Sequence, residues 1–141
     1  MNKFIFPALL TFACLFGCQP EIPAPGGELE NLYHTWTLVA IEQGNKWDAI
    51  PKEINDMTLG LKADLTSSLS SDCNQGGGTY TVSADGSIDF NAGILTQVYC
   101  GEIGGEWERL FLFSLDAVEQ FSLADNELWL WNDEISLRFE R

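Results

Sequence analysis

Histidine is nearly missing from this chain: His34 is the only one in 141 residues. A Ser/His/Asp or Cys/His relay would have to run through it, and no neighbour reads as a nucleophile on a strained turn. His34 is read as an exposed structural residue at the start of a strand, and no catalytic residue is expected. Basic residues are also scarce, with 7 Lys and Arg against 21 Asp and Glu, a net charge of −14. That field repels phosphate backbones and anionic lipid, which excludes nucleic-acid partners and reads most simply as a soluble acidic surface. Acid is so abundant that paired carboxylates decide nothing. No phosphate-loop or dinucleotide fingerprint occurs. Gly76-Gly77-Gly78 lacks a following Lys and is read as turn geometry beside Cys73. There is no C-x-x-C, and Cys73, Cys100 and His34 would supply at most three metal ligands, two of them removed by oxidation. Asp85, Ser87 and Asp89 hint at calcium, but the remaining ligands of a calcium loop are absent and a hairpin turn explains them better. Neither metal nor cofactor is expected.

A long apolar run is lacking too. Phe4 to Phe16 is broken by Pro7 and Thr11 and falls short of the roughly 20 residues that a membrane span needs. Behind Lys3 it reads as an export signal. It ends in Leu15-Phe16-Gly17-Cys18, which resembles the bacterial lipobox. The resemblance implies a signal peptide over residues 1–17, diacylglycerol on the Cys18 sulfur and acylation of the new amine. A plain secretory signal with an incidental cysteine is the rival. Residues 18–30 hold Pro20, Pro23, Pro25, Gly26 and Gly27, the composition of an extended, flexible tether. Gln19 rather than Asp after Cys18 points, by resemblance to known sorting rules, to the outer membrane. The expected location is therefore the cell envelope, with the membrane a partner through the anchor on Cys18.

What is present fits one domain over residues 31–141. Hydrophobic residues make up 45% and aromatics 12% of the chain, enough for a packed core. Cys14 leaves with the signal and Cys18 takes the lipid, so Cys73 and Cys100 remain in an oxidising setting. A disulfide is the expectation, worth about 3.5 kcal/mol in the chain-entropy account; two neighbouring reduced thiols are the alternative. Period-2 alternation dominates from Leu32 onward. Trp36, Leu38 and Ala40 share one face. Met57, Leu59 and Leu61 mark a second strand, Tyr80 and Val82 a third, and Ile88 and Phe90 a fourth after an Asp85-Gly86 turn. Thr96 to Cys100 is read as another. Phe121 with Leu123, Leu128 with Leu130, and Ile135 with Leu137 and Phe139 follow, separated by turns at Asp125-Asn126 and Asn132-Asp133. A short strand is expected near Trp47. Glu106 to Val118 breaks the pattern, placing Trp107, Leu110, Phe111, Leu115 and Val118 at helical spacing, with Gly104-Gly105 before it. This helix is read as closing the core. Many short strands argue for an antiparallel barrel or sandwich.

These residues carry a likeness. Thr35-Trp36-Thr37-Leu38 looks like the opening strand of the META/HslJ-like family. Cys73-Asn74 with Gly78 and Tyr80 matches its C-N-x-x-x-G-x-Y motif, and Thr96 with Cys100 its T-x-x-x-C. Glu108, Phe111, Leu112 and Leu115 match its helix pattern, and Leu128, Leu130, Leu137 and Phe139 its closing strands. Asp72 departs from the family's usual Gly. The resemblance implies a mainly β fold, a small antiparallel barrel of lipocalin-like build with one amphipathic helix, and no established enzymatic activity. It links the chain in a general way to envelope stress tolerance.

Asn74 and Tyr80 are read as architecture, through backbone bonding and a buried hydroxyl. Trp129 and Trp131 lie opposite Leu128 and Leu130. They either pack under the helix or form an exposed aromatic surface for a partner. Three functions follow. The first is a monomeric, non-enzymatic envelope lipoprotein with a structural or binding role and an envelope protein partner. The second is an acidic inhibitor of a lytic or proteolytic enzyme. The third is a carrier of a small apolar ligand, which bulky inward Trp36, Tyr80, Phe90 and Phe139 count against.

Overall fold

The computed structural model describes residues 21–141. The signal peptide and Cys18 lie outside the described residues. A short 3-10 turn, Leu29–Leu32, leads into nine strands: β1 (Thr35–Gln43), β2 (Lys46–Ala49), β3 (Thr58–Leu61), β4 (Thr66–Ser70), β5 (Gln75–Val82), β6 (Ile88–Leu95), β7 (Gln120–Ala124), β8 (Glu127–Trp131) and β9 (Ile135–Glu140). One helix, α1 (Gly101–Ala117), sits between β6 and β7 in the chain. All strand pairs are antiparallel, in the order β6-β5-β4-β3-β1-β9-β8-β7, with β2 beside β1. The sheet curls into a half-barrel. Its two end strands approach each other only at the Ser87–Gln120 bridge, and α1 lies against β6 and β9.

The alternation places the core as expected. Leu59, Phe121, Leu128, Leu130, Leu137 and Phe139 are fully buried, and Trp36 nearly so. From the helix Phe111 enters the same core, its ring 6.1 Å from that of Phe139. The Trp36 indole donates to the Leu32 carbonyl at 2.9 Å, which fastens the opening turn to β1. Asn132 donates to the Ala117 carbonyl at 2.8 Å and so serves one of the orphan acceptors at the helix end.

Five details differ from the sequence reading. A bulge between Leu38 and Ala40 shifts the register against β9. The extra residue turns Ala40 away from Leu38's face and brings Ile41 into the core instead. Thr66–Ser70 forms β4, a strand that alternation missed because Leu69 is its only core residue. Gly76-Gly77-Gly78 is no turn but the start of β5. Thr96–Cys100 is no strand; β6 ends at Leu95. The helix starts at Gly101, so Gly104 and Gly105 lie inside it.

The turns follow residue chemistry. Gly44 and Asn45 both take positive φ (58° and 63°), as a two-residue hairpin between β1 and β2 requires. At Asp85 the carboxylate accepts from the Ser83 hydroxyl and from the Ser87 amide and hydroxyl. These bonds hold its carboxyl below the usual range, the Ser83 bond foremost, so Asp85 and Ser87 build a turn, while Asp89, in β6, pairs with Thr81 of β5.

Tyr80 is buried, its ring stacked on Phe90 at 5.9 Å and its hydroxyl donating to the Lys62 carbonyl at 2.7 Å. Burial pushes its phenol up from 10.0 to about 12. The neutral form is thus favoured in the folded state, and this contribution to stability is complete below pH 10.0 and disappears as pH rises toward about 12. Denaturant titrations across that window will show a loss of stability that Tyr80→Phe lacks. An equal loss in both proteins would show that Tyr80 does not titrate as described.

Candidate functional site

Three stretches of the chain meet at one end of the half-barrel: Ser71, Cys73 and Asn74; Thr96, Val98 and Cys100; and Glu108 of the helix. Cys73 and Cys100 form a disulfide with Cα atoms 5.5 Å apart. Between β4 and β5 the chain makes a tight turn, with the Ser71 amide bonded to the Asn74 carbonyl at 2.8 Å. That turn drives Asn74 inward, to 1% exposure. Its Oδ1 accepts from the Val98 amide at 2.7 Å and the Thr96 hydroxyl at 2.9 Å. Its Nδ2 donates to the Val98 carbonyl at 2.9 Å and to both carboxylate oxygens of Glu108, at 3.0 and 2.9 Å. The Ser71 hydroxyl also donates to Glu108. Thr96 Oγ1 accepts the Gln75 amide at 3.0 Å. Every polar group of this cluster is occupied by another member, as burial demands.

Asp72 has a task of its own. Its Oδ1 accepts the Asn55 amide at 2.8 Å, and its carbonyl accepts the Asn55 side chain at 2.9 Å. This ties the loop after β2 to the cluster. A side chain at Gly104 would collide with the Asp72 carboxylate and approach Cβ of Cys100 to 3.0 Å. The helix therefore accepts a weak helix former there to let the loop pack close. Sequence reasoning missed Ser71 and Asn55; only an Asx residue at the loop's centre signalled the second.

Gly78 and Tyr80 do not join the cluster. Gly78 faces the next strand, where a Cβ would run into the Asn91 carbonyl and come within 2.8 Å of the Gly93 amide. The glycine run lies where the β5–β6 register shifts, with Gly76 and Gly78 against β6 and Gly77 against the Ser67 carbonyl of β4, and Gly77 and Gly78 floor a groove between these strands and α1. The groove encloses about 520 Å³ and is walled by Leu69, Phe90, Ile94, Leu112, Phe113 and Leu115. Glu108, Arg109 and Asp116 edge it. Ile94 and Phe113 are 89% and 62% exposed. Val98, Tyr99 and Ile103, on the loop and first turn next to the disulfide, are exposed as well.

Trp129 and Trp131 do not make the surface that the sequence allowed. Trp129 is 3% exposed, covered not by the helix but by Trp47 of β2, edge-on at 5.6 Å. Its indole donates to Glu127 at 3.0 Å, and the Arg138 guanidinium lies 6.0 Å from its ring. Trp131 is half-buried. The strand around Trp47 exists to cover this outer-face cluster. His34 is exposed, edge-on to Trp36. Among the described residues no three His, Cys, Asp or Glu side chains converge on a point.

Asn74→Ala removes five hydrogen bonds at once, to Val98, Thr96 and Glu108. A loss of about 2–4 kcal/mol in denaturant unfolding is expected. A loss under about 1 kcal/mol would mean that solvent replaces the amide. The Cys73→Ala/Cys100→Ala pair is expected to lose about 3.5 kcal/mol in the same measurement.

The META domain model matches residues 28–141. No curated protein matches the chain. Two solved structures share its fold. One is a protein from Burkholderia xenovorans determined by NMR, 24% identical, with a TM-score of 0.62 over 87% of this chain and 93% of that one. The other is a crystal structure of a duf4847 family protein from Bacteroides vulgatus, 17% identical, with a TM-score of 0.59 over 80% of this chain and 96% of that one. The motif residues that meet in the cluster lie within the matched span, and the chain belongs to the META domain family.

Proposed function

We propose that the protein is a non-enzymatic binding module of the bacterial cell envelope, lipid-anchored through Cys18 and held at the outer membrane. One contrast carries this reading. The polar family residues are spent on each other, while an apolar groove beside them stays open to solvent. Reactive sites have the reverse arrangement, with polar groups presented to a pocket and held ready for a substrate. An exposed apolar patch with a polar rim is the usual mark of an interaction surface. The Cys73–Cys100 disulfide suits an oxidising compartment, and the lipobox-like tetrad before Cys18 supplies the anchor. A role in envelope stress tolerance would run through whatever the groove engages.

The test has two arms, both on the full chain in a bacterial host. Labelled palmitate should enter the protein and vanish with Cys18→Ala, and the variant should leave the membrane fraction. A photo-crosslinking residue at Phe113 should give a discrete adduct that the same residue at Leu65, exposed elsewhere, does not. Unlabelled protein would remove the anchor. Identical adducts at both positions would remove the binding role, and a hydrolytic activity abolished by one polar substitution would overturn the reading altogether.

A further inference from the structure

The groove has an unguarded strand along one side. β6 ends the sheet, and beyond the Ser87–Gln120 bridge no strand pairs with its outer edge among the described residues. Its backbone is presented to solvent in a definite register. The Ile88 amide donates outward, to the Glu119 carbonyl at 3.0 Å. Tyr80, opposite Phe90, turns its amide the other way, to the Leu65 carbonyl at 3.0 Å. Antiparallel parity then points the N–H and C=O groups of Phe90 and Ala92 away from β5, toward the open edge.

Exposed edges are normally blunted by Lys, by Pro or by being covered. Ile88–Leu95 contains neither Lys nor Pro, and Asp89 is its only charge. Ala92 and Gly93 leave a low rim beside the exposed Ile94, and Phe113 and Leu112 of α1 also line the groove. An added strand would find main-chain partners on β6 and apolar pockets for alternate side chains, the two ingredients of recognition by strand addition.

Charge selects among occupants. The groove carries Glu108 and Asp116 against Arg109, on a chain of net charge −14. A second copy would bring the same charge and be repelled. An anionic lipid surface is repelled for the same reason. A segment that combines apolar and basic residues is attracted, and the attraction speeds its encounter.

We propose that the β6 edge and the groove beside it bind an extended peptide segment of mixed apolar and basic composition as an additional strand. This rests on the binding reading above and names the partner's chemistry. Apolar side chains on one face of the segment enter between β6 and α1, and flanking Lys or Arg meet the acidic surround. The cluster at Asn74 ties the helix wall of the groove to the head of β5, because Glu108 belongs to both the cluster and the groove.

The test uses the full chain in discs of zwitterionic lipid, with empty discs as the blank. The probes are three fluorescent peptides sharing an alternating Val-Thr centre. One is flanked by lysines and one by glutamates; the third is the lysine peptide N-methylated at alternate residues. The lysine peptide should bind, with the other two about tenfold weaker or worse, and the charge preference should shrink as salt rises. Ile94→Asp and Phe113→Asp, both at exposed positions, should weaken binding about tenfold while leaving the unfolding midpoint in place. Hydrogen exchange should slow at the Phe90 and Ala92 amides in the complex. Equal binding of the glutamate or N-methylated peptide, or unprotected amides at these two positions, overturns strand addition. If no peptide binds, the proposed partner chemistry is wrong, whereas the crosslink at Phe113 decides separately whether the groove binds anything.

Discussion

The amide of Asn74 joins three parts of the chain in one geometry. It sits at the head of β5, reaches the loop leaving β6 through Val98 and Thr96, and reaches the helix through Glu108. The disulfide next to it fixes one distance, 5.5 Å between Cα atoms, but a single bridge leaves the helix free to rotate about it. The amide removes that freedom because its contacts are directional and point to different elements. Only a side chain with acceptor and donor ends fits. Oδ1 must take a backbone amide while Nδ2 gives to a carbonyl and a carboxylate, which neither Asp nor Leu can do.

From that constraint comes the open form of the sheet. A closed barrel would need β6 and β7 paired along their length, and they meet only at Ser87 and Gln120. The helix is the reason. Anchored by the disulfide at Cys100 just before it and by Glu108 about two turns in, α1 places Phe111 and Leu115 in the core, Phe111 against Phe139 of β9. Each buried side chain of this size stabilises by about 1.5–3 kcal/mol, which favours the wedge over closure. The interior is then filled by Trp36, Tyr80, Phe90, Phe111 and Phe139, and the free space is displaced outward into the groove.

Alternation was legible where a strand places two or more large apolar residues at alternate positions facing the core, as in β3, β8 and β9. It failed where another rule intervened. The bulge at Leu38/Ala40 exchanges faces without any sequence mark. β4 is written in serines because its partners β3 and β5 supply most of the packing. Gly76–Gly78 resembled a turn because glycine permits both a turn and a close strand contact, and only the position of β6 decides which. The helix start was set too late for a related reason: Gly104 weakens local propensity so that the loop at Asp72 can approach. Of the site, Cys73, Asn74, Thr96, Cys100 and Glu108 were legible as a family pattern and do meet. Their geometry was not, because each bond spans more than twenty residues. Trp129 was misplaced because nothing in its own strand reveals that Trp47 covers it.

The two ends of the sheet are treated differently, and this gives the groove its meaning. At β7 the chain supplies its own cover: Gly26 lies parallel to Ser122, its amide bonded to the Phe121 carbonyl at 2.8 Å while its carbonyl accepts the Leu123 amide. The segment proposed as a tether is therefore docked from Gly26 onward. If Cys18 carries the lipid, the stretch from 18 to 26 reaches at most about 28 Å from the anchor. The domain is then held near the bilayer, with the β7 end of its sheet fastened to the anchoring segment. Among the described residues the β6 edge receives no such cover. Capping one edge with its own chain while leaving the other beside an apolar groove is the asymmetry that the proposed binding role calls for, since an edge serving only the core would be guarded by a lysine or a proline at no cost to packing.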